Sequence, residues 1–176
     1  MTLSEPSCDP VALDAAGSVR LLPARYDDPV VGLLVEEVQQ VYVERYGGRD
    51  DTPMTPQQFA PPYGRFFLGY LDGEPAAIGG WRLRSDTGAL GLPGTRPAEV
   101  KRMFVRASVR GRGLARAVLG ALESSARADG VDWLVLETGD RQPEAVSLYR
   151  SAGYTEVTRF GLYAHAEGSI YLGKRL

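Results

Sequence analysis

Residues 105 to 115 read Val105-Arg106-Ala107-Ser108-Val109-Arg110-Gly111-Arg112-Gly113-Leu114-Ala115, and the fold class turns on them. Before them, Glu99 through Val105 reads as a strand. After them, Gly111 to Asp129 carries Leu114, Ala115, Val118, Leu119, Leu122 and Ala126 at helical spacing, and Gly130 stops the helix. A strand therefore enters a turn with two glycines, and a helix leaves it. Gly111 and Gly113 remove side chains where a backbone must approach something closely. The first turn of the helix offers unpaired N–H groups and the positive end of the helix dipole, which together make an anion site. Arg106, Arg110, Arg112 and Arg116, with Lys101 and Arg102, add positive charge around it.

Several readings of this turn compete. The P-loop spacing Gly-x4-Gly-Lys-Ser/Thr is absent. A dinucleotide-binding fingerprint needs a third Gly or Ala where this chain has Arg116. A plain strand-to-helix turn with a solvated arginine fringe is the bland alternative. A nucleic-acid patch has no recognition motif around it.

Outward from the turn, the chain alternates strands and helices. Val19 to Leu22 reads as a short strand. Asp27 or Asp28 caps a helix with Pro29 at its first position, and Val31, Leu34, Val35, Val38, Val41 and Tyr42 recur at helical spacing up to Tyr46. Gly47-Gly48 ends it. Residues 47 to 65 hold Pro53, Pro56, Pro61 and Pro62, which predicts an irregular segment with one helical turn near Gln57. Phe66–Leu71 and Ala76–Arg84 flank Asp72-Gly73, a hairpin signal. After the loop 85 to 98 and the central strand and helix come a continuous apolar strand, Trp133 to Leu136, and a helix from Pro143 to Ala152. Strands at Thr155–Phe160 and Ser169–Leu172 close the chain. This order predicts one α/β domain over residues 19–176, with a mixed, mostly antiparallel sheet flanked by helices. Residues 1–18 are short of large apolar groups and read as a loose N-terminal arm.

Composition removes whole classes of chemistry. The 176 residues hold one histidine, His165, and one cysteine, Cys8. No intramolecular disulfide can form, and the usual structural zinc sites lack ligands. No metal site is expected. A Ser-His-Asp triad would have to run through His165. The formal charge of −2 argues against general binding to nucleic acid or membrane, and no stretch approaches a membrane span. The N-terminus has no signal-peptide pattern, so a cytoplasmic location is expected. Chemistry in such a chain falls to carboxylates, tyrosine, backbone amides and a borrowed cofactor.

Two motifs resemble one family. Arg110-x-x-Gly113-x-Ala115 resembles the Gln/Arg-x-x-Gly-x-Gly/Ala signature of the GNAT superfamily of acyl-CoA-dependent N-acetyltransferases. About 30 residues later, Ala145-x-x-Leu148-Tyr149-x-x-x-Gly153-Tyr154 resembles that family's Ala-x-x-Leu/Phe-Tyr-x-x-x-Gly-Phe/Tyr segment. The resemblance covers residues 19 to 176 and is strongest over Glu99 to Tyr154. Gln142 departs from the family pattern, in which many members have Asn.

The resemblance implies a sheet with a V-shaped splay between two central parallel strands, and acetyl-CoA as co-substrate. It implies that the pyrophosphate lies on the turn Arg110, Gly111, Arg112, Gly113, Leu114 and Ala115. It further implies that the backbones of Met103, Phe104 and Val105 hold the pantetheine arm or the acetyl carbonyl, with Gln142 as a further contact. A thioester is already activated, so the protein has to orient an amine, take its proton and stabilise an oxyanion. An alkylamine, with a pKa of about 10.4, is mostly protonated near neutrality, so a base or a water relay helps.

Glu99 is the first candidate for that base by similarity, and Glu137 is the second. Tyr149 resembles the tyrosine that protonates the departing thiolate. His165 is assigned no role, and Trp81 and Trp133 are expected in the core. The expected acceptor is a small-molecule or peptide amine, and a homodimer is plausible by analogy. Acidic groups in the first third, such as Glu36, Glu37, Asp50 and Asp51, either attract a cationic acceptor or form a solvated surface. The alternative to an enzyme is a non-catalytic CoA-binding regulatory or interaction module.

Overall fold

The computed structural model describes residues 19–176. The expected arm 1–18, with Cys8, lies outside the described residues. Seven strands form one sheet in the order β1-β2-β3-β4-β5-β7-β6. They are β1 Val19–Pro23, β2 Gly64–Leu71, β3 Glu74–Leu83, β4 Pro97–Val105, β5 Trp133–Gly139, β6 Thr155–Glu156 and β7 Ser169–Arg175. The helices are α1 Pro29–Tyr46, α2 Leu114–Ala128 and α3 Pro143–Ser151. Every neighbouring pair is antiparallel except β4–β5, which is parallel.

Local chemistry explains most boundaries. The Asp28 side chain accepts the Val30 N–H at 2.8 Å, Pro29 opens α1, and Gly47 closes it in the left-handed region. Asp72 and Gly73 both have positive φ, so the β2–β3 hairpin turns in two residues with the twist its strands need. Pro56–Phe59 supplies the single 3₁₀ turn in the proline-rich segment.

The two faces of the sheet carry separate cores. On one face, α2 and α3 cover Trp81, Ala98, Val100, Leu134 and Leu136. The Trp81 Nε1–H donates to Ser125 Oγ at 2.9 Å, so the fully buried indole leaves no polar atom unpaired. Trp133, by contrast, is only half-buried. On the other face, α1 covers Phe66, Leu68 and Ile78, while Leu90, Val135, Phe160 and Tyr171 form a smaller cluster.

One strand is shorter than its sequence suggests. Of the expected strand 155–160, only Thr155 and Glu156 are strand, and the chain then leaves the sheet so that Phe160 packs edge-on to Tyr171 at 5.1 Å. The last strand runs further than expected, to Arg175.

Candidate active site

The cleft begins where two parallel strands part. β4 and β5 are paired only from Pro97–Glu99 to Trp133–Val135. Beyond Glu99, β4 stays bonded to β3, and β5 stays bonded to β7. Between them opens a cleft of about 530 Å³. Its walls include Met103 of β4, Glu137 of β5, Tyr149 of α3, and Tyr42 and Tyr46 of α1.

A bulge shapes the β4 wall. Ile78 lies opposite Phe104 but Gly80 lies opposite Lys101, so Arg102 and Met103 share the place facing Gly79. Arg102 adopts φ +56, a conformation that costs a non-glycine residue on the order of 1 kcal/mol or more. Gly79 is required there, because a Cβ would sit 2.8 Å from Val118 Cγ1 and 3.0 Å from Met103 Cγ. The extra residue breaks strand alternation and turns the consecutive cations Lys101 and Arg102 toward the same partner, Asp50. Arg102 is ion-paired to Asp50 Oδ2 and lies 6.0 Å from the Tyr42 ring centroid. Burial opposes the Asp50 charge, but Lys101 and Arg102 outweigh it and hold the carboxyl well below its ordinary range.

The glycine turn lies at the far end of β4. A 3₁₀ turn at Ala107–Val109 leads into it, and Gly111 and Gly113 have φ +79 and +81. A Cβ at either glycine would meet nothing within 4 Å, so both are kept for backbone conformation. The first bond into α2 runs from the Ala117 N–H to the Gly113 carbonyl, which leaves the Leu114, Ala115 and Arg116 amides ahead of the hydrogen-bonded ladder.

Much of the arginine cluster expected around this turn is committed elsewhere. Arg106 pairs with Glu37 at 2.6 Å, and Lys101 and Arg102 are buried on Asp50. Arg116 donates to Ser151 Oγ, and Arg110 to the Val105 carbonyl. Arg110 and Arg112 are exposed, and Arg112 has no ion pair or side-chain hydrogen bond among the described residues.

A second cavity of about 390 Å³ adjoins the first, with Lys101, Glu137 and Tyr163 lining both. Glu99 is 4% exposed at the point where β4 and β5 separate. Its Oε2 accepts from Arg82 at 2.9 Å and Arg84 at 3.0 Å, and its Oε1 lies 3.6 Å from Lys101 Nζ. Burial works against the Glu99 charge, but Lys101, Arg82 and Arg84 outweigh it and lower its pKa. Glu137 differs. Burial raises its pKa, and its side chain accepts only from Ser169 Oγ, at 2.9 Å, among the described residues. Tyr149 is 6% exposed, and burial drives its pKa upward so that the hydroxyl keeps its proton. That hydroxyl points at Met103 Sδ, 3.7 Å away.

The residues singled out in the sequence thus fall into three places. Met103, Gln142 and Tyr149 line the main cleft, and Glu99 lines the adjoining cavity. Val105 packs with the α2-side core and the Phe104 side chain with the α1-side core. Arg110 to Ala115 form the exposed turn and the start of α2. Gln142 Nε2–H donates to Tyr46 Oη at 3.2 Å, tying α3 to α1. His165 is exposed and lines neither cavity.

Among the acidic groups of the first third, Glu36 pairs with Arg49, Glu37 with Arg106 and Asp50 with Lys101 and Arg102. The first two are surface pairs, and only the Asp50 pairing is buried. Sequence reasoning missed Arg82, Arg84, Asp50 and Lys101 as a site. The available signal was charge at alternate positions, Arg82/Arg84 and Glu99/Lys101, in strands otherwise apolar. Among the described residues, no three His, Cys, Asp or Glu side chains gather as metal ligands. No helix there is long and apolar enough to cross a membrane.

Comparison with known proteins accords with this geometry. Residues 35–154 match the model of the acetyltransferase (GNAT) family. An IAA acetyltransferase of Azospirillum brasilense is 31% identical over 143 residues, covering 81% of this chain and 88% of that protein. The structure of a Klebsiella pneumoniae protein assigned as an acyl-CoA N-acyltransferase superposes with a TM-score of 0.70 at 24% identity, covering 90% of this chain and 97% of that one. The GNAT domain of PAT from S. lividans gives 0.67 at 21% identity, covering 91% and 92%. With β4 and β5 splayed above a glycine turn that opens α2, and a family match spanning most of the sequence, this chain belongs to the GNAT acetyltransferase family.

Proposed function

We propose that this acetyltransferase moves an acetyl group from acetyl-CoA to a primary amine by direct attack. The observation that carries the reading is the meeting of a raised-pKa carboxyl, Glu137, and a proton-holding hydroxyl, Tyr149, on the walls of one cleft between parted strands. The chain suits the coenzyme. The turn at Gly111 and Gly113 presents backbone in open space ahead of α2, as a pyrophosphate needs. The amides of Arg110, Gly111, Arg112, Gly113, Leu114 and Ala115 would hold that group, and Met103, Phe104 and Val105 would hold the arm beside β4. When bound, acetyl-CoA supplies an acyl group already activated as a thioester.

The protein then has two protons to manage. The incoming ammonium gives one to a base, and the second ends on the departing sulfur. Glu99 is the base by similarity, yet three cations stabilise its charged form and make it a weak proton acceptor. Glu137 carries no such clamp, and its raised pKa brings it nearer neutrality. We therefore assign the base to Glu137, directly or through water, and give Glu99 the role of positioning Arg82, Arg84 and Lys101. Tyr149 holds its proton at Oη on the cleft wall, where a leaving thiolate can take it.

Thermal unfolding with acetyl-CoA, CoA and short DNA tests the reading, with thiol release measured across an amine panel. Acetyl-CoA and CoA should raise Tm, by about 2.7 kcal/mol of added stability at 100 times Kd, and DNA should not. Thiol release should appear with at least one amine. No shift with acetyl-CoA at high concentration would overturn the proposal. A shift without turnover of any amine would favour a non-catalytic CoA-binding module.

A further inference from the structure

The cavity beside the cleft has an uneven set of charges. Three cations and three carboxylates line it: Arg82, Arg84, Lys101, Asp86, Glu99 and Glu137. Most are saturated by one another. Arg82 donates to Glu99, the Pro53 carbonyl and Gln58 Oε1. Arg84 donates to Glu99 and, through two nitrogens, to Asp86. Glu99 keeps its Oε1 without a hydrogen bond among the described residues, and two groups that also line the main cleft have capacity left.

Lys101 is one of them. Its side chain is 8% exposed, and its Nζ stands 3.5 Å from Asp50 and 3.6 Å from Glu99. Those contacts are ion pairs beyond ordinary N–H···O length, and the Lys101 ammonium makes no hydrogen bond among the described residues. An ammonium so buried is costly unless its donors find acceptors. Glu137 is the other, with Ser169 as its sole donor among the described residues. Both line the main cleft as well as this cavity, so they stand at the junction where an acceptor must meet the acyl group. The remaining wall is partly apolar, with Leu83, Phe160 and Leu162.

We infer that the acceptor is an amino acid: a primary amine that also bears a carboxylate and a modest apolar side chain. Its ammonium meets Glu137, its carboxylate takes the free donors of Lys101, and its side chain lies toward Phe160 and Leu162. A polyamine would offer no acceptor to the remaining donors of Lys101 and would bring further positive charge against it. The inference rests on the acetyltransferase reading for the fate of the amine but not for its binding.

The experiment compares leucine with leucinamide, 3-methylbutylamine and spermidine, using the full chain. Turnover is read as kcat/KM, and binding as Tm in the presence of CoA. Leucine should exceed leucinamide by about 30-fold or more in kcat/KM and should raise Tm where spermidine does not. Lys101→Met should bring the leucine-to-leucinamide ratio near unity, and Lys101→Arg should restore most of it. A wild-type preference for leucinamide or spermidine overturns the inference, as does a ratio unchanged in Lys101→Met. If Lys101→Met fails to fold, the wild-type ligand series decides alone. If leucine raises Tm but no amine is acetylated, the pocket assignment stands and the acetyltransferase reading falls.

Discussion

The two ends of β4 are built by different means. At its C-terminal end, the turn 110–115 is exposed and local, and its shape comes from two glycines with positive φ and the free amides of the helix that follows. Near its N-terminal end, Glu99, Lys101 and Arg102 are buried, and each is matched by charge from elsewhere in the chain. Arg102 meets Asp50, which is 52 residues away, and Glu99 meets Arg82 of β3 and Arg84 just beyond it. The first region takes its backbone shape from its own glycines, while Leu114 anchors it in the core. The second exists only once the whole sheet and the 47–65 segment are in place. A ligand common to many proteins suits the local device, and a ligand particular to one protein suits the long-range one.

Removing Asp50 should give the largest effect. Asp50→Ala strands Arg102, whose side chain is 3% exposed, and takes one partner from Lys101. Breaking a buried pair in this way costs about 3–5 kcal/mol, measured by chemical denaturation near pH 7. The pH dependence has a definite sign. The folded-state pKa of Asp50 is depressed, so its contribution is complete above the unfolded value of about 4 and fades as pH falls through the lower folded one. The gap between wild type and Asp50→Ala should therefore narrow only in acid. A variant as stable as wild type at pH 7 would show that the charge cluster is dispensable to the fold.

The next effect separates chemistry from binding. Tyr149→Phe should lower kcat by about 100-fold with little change in the KM for acetyl-CoA, because general acid catalysis contributes on that scale. Unchanged turnover would remove Tyr149 from the reaction. Glu137→Gln should lower kcat/KM by about 100-fold as well, and it should also change the pH profile. In wild type, kcat/KM falls as pH drops through the raised pKa of Glu137, because protonation removes the base. In Glu137→Gln that acid limb should vanish. An acid limb that survives there but disappears in Glu99→Gln would return the base to Glu99.

The smallest effect probes the local end. Gly113 sits at φ +81, and a β-branched side chain there costs about 1–2 kcal/mol. Gly113→Val should raise the KM for acetyl-CoA by roughly 5- to 30-fold, since less of the protein holds the binding conformation. It should leave the amine KM near wild type. If both KM values rise together, the two ends of β4 are coupled and the contrast between them fails.

The same contrast explains what was legible in advance. Helix caps, the Asp72-Gly73 hairpin and the glycine turn rest on short-range rules and form where the sequence places them, although α2 itself begins at Leu114 rather than at Gly111. The end of the strand expected at 155–160 was not legible, because Phe160 leaves the sheet edge to pack with Tyr171 and with Leu90 from a loop far back in the chain. The bulge at Arg102 was hidden as well. Nothing in Lys101-Arg102-Met103 announces that two successive side chains will face one carboxylate, and the device depends on Gly79 opposite. Of the candidate site, Tyr149 and Gln142 were named through the family resemblance, and both line the cleft. Glu99 was found, but its surroundings were not, and those surroundings decide how readily it accepts a proton.

By itself, the sequence determined the order of elements, the glycine turn that opens α2 and the family, since each is written in contiguous residues governed by backbone conformation and periodicity. Only the tertiary structure decided which carboxylate is clamped by cations. Glu99 and Glu137 lie on neighbouring strands, and the difference between them is made by Arg82, Arg84 and Lys101 crowding one while, among the described residues, Ser169 is the only hydrogen-bond donor to the other. The charge state of a buried group follows from its neighbours in space, and those neighbours are set by packing across the sheet.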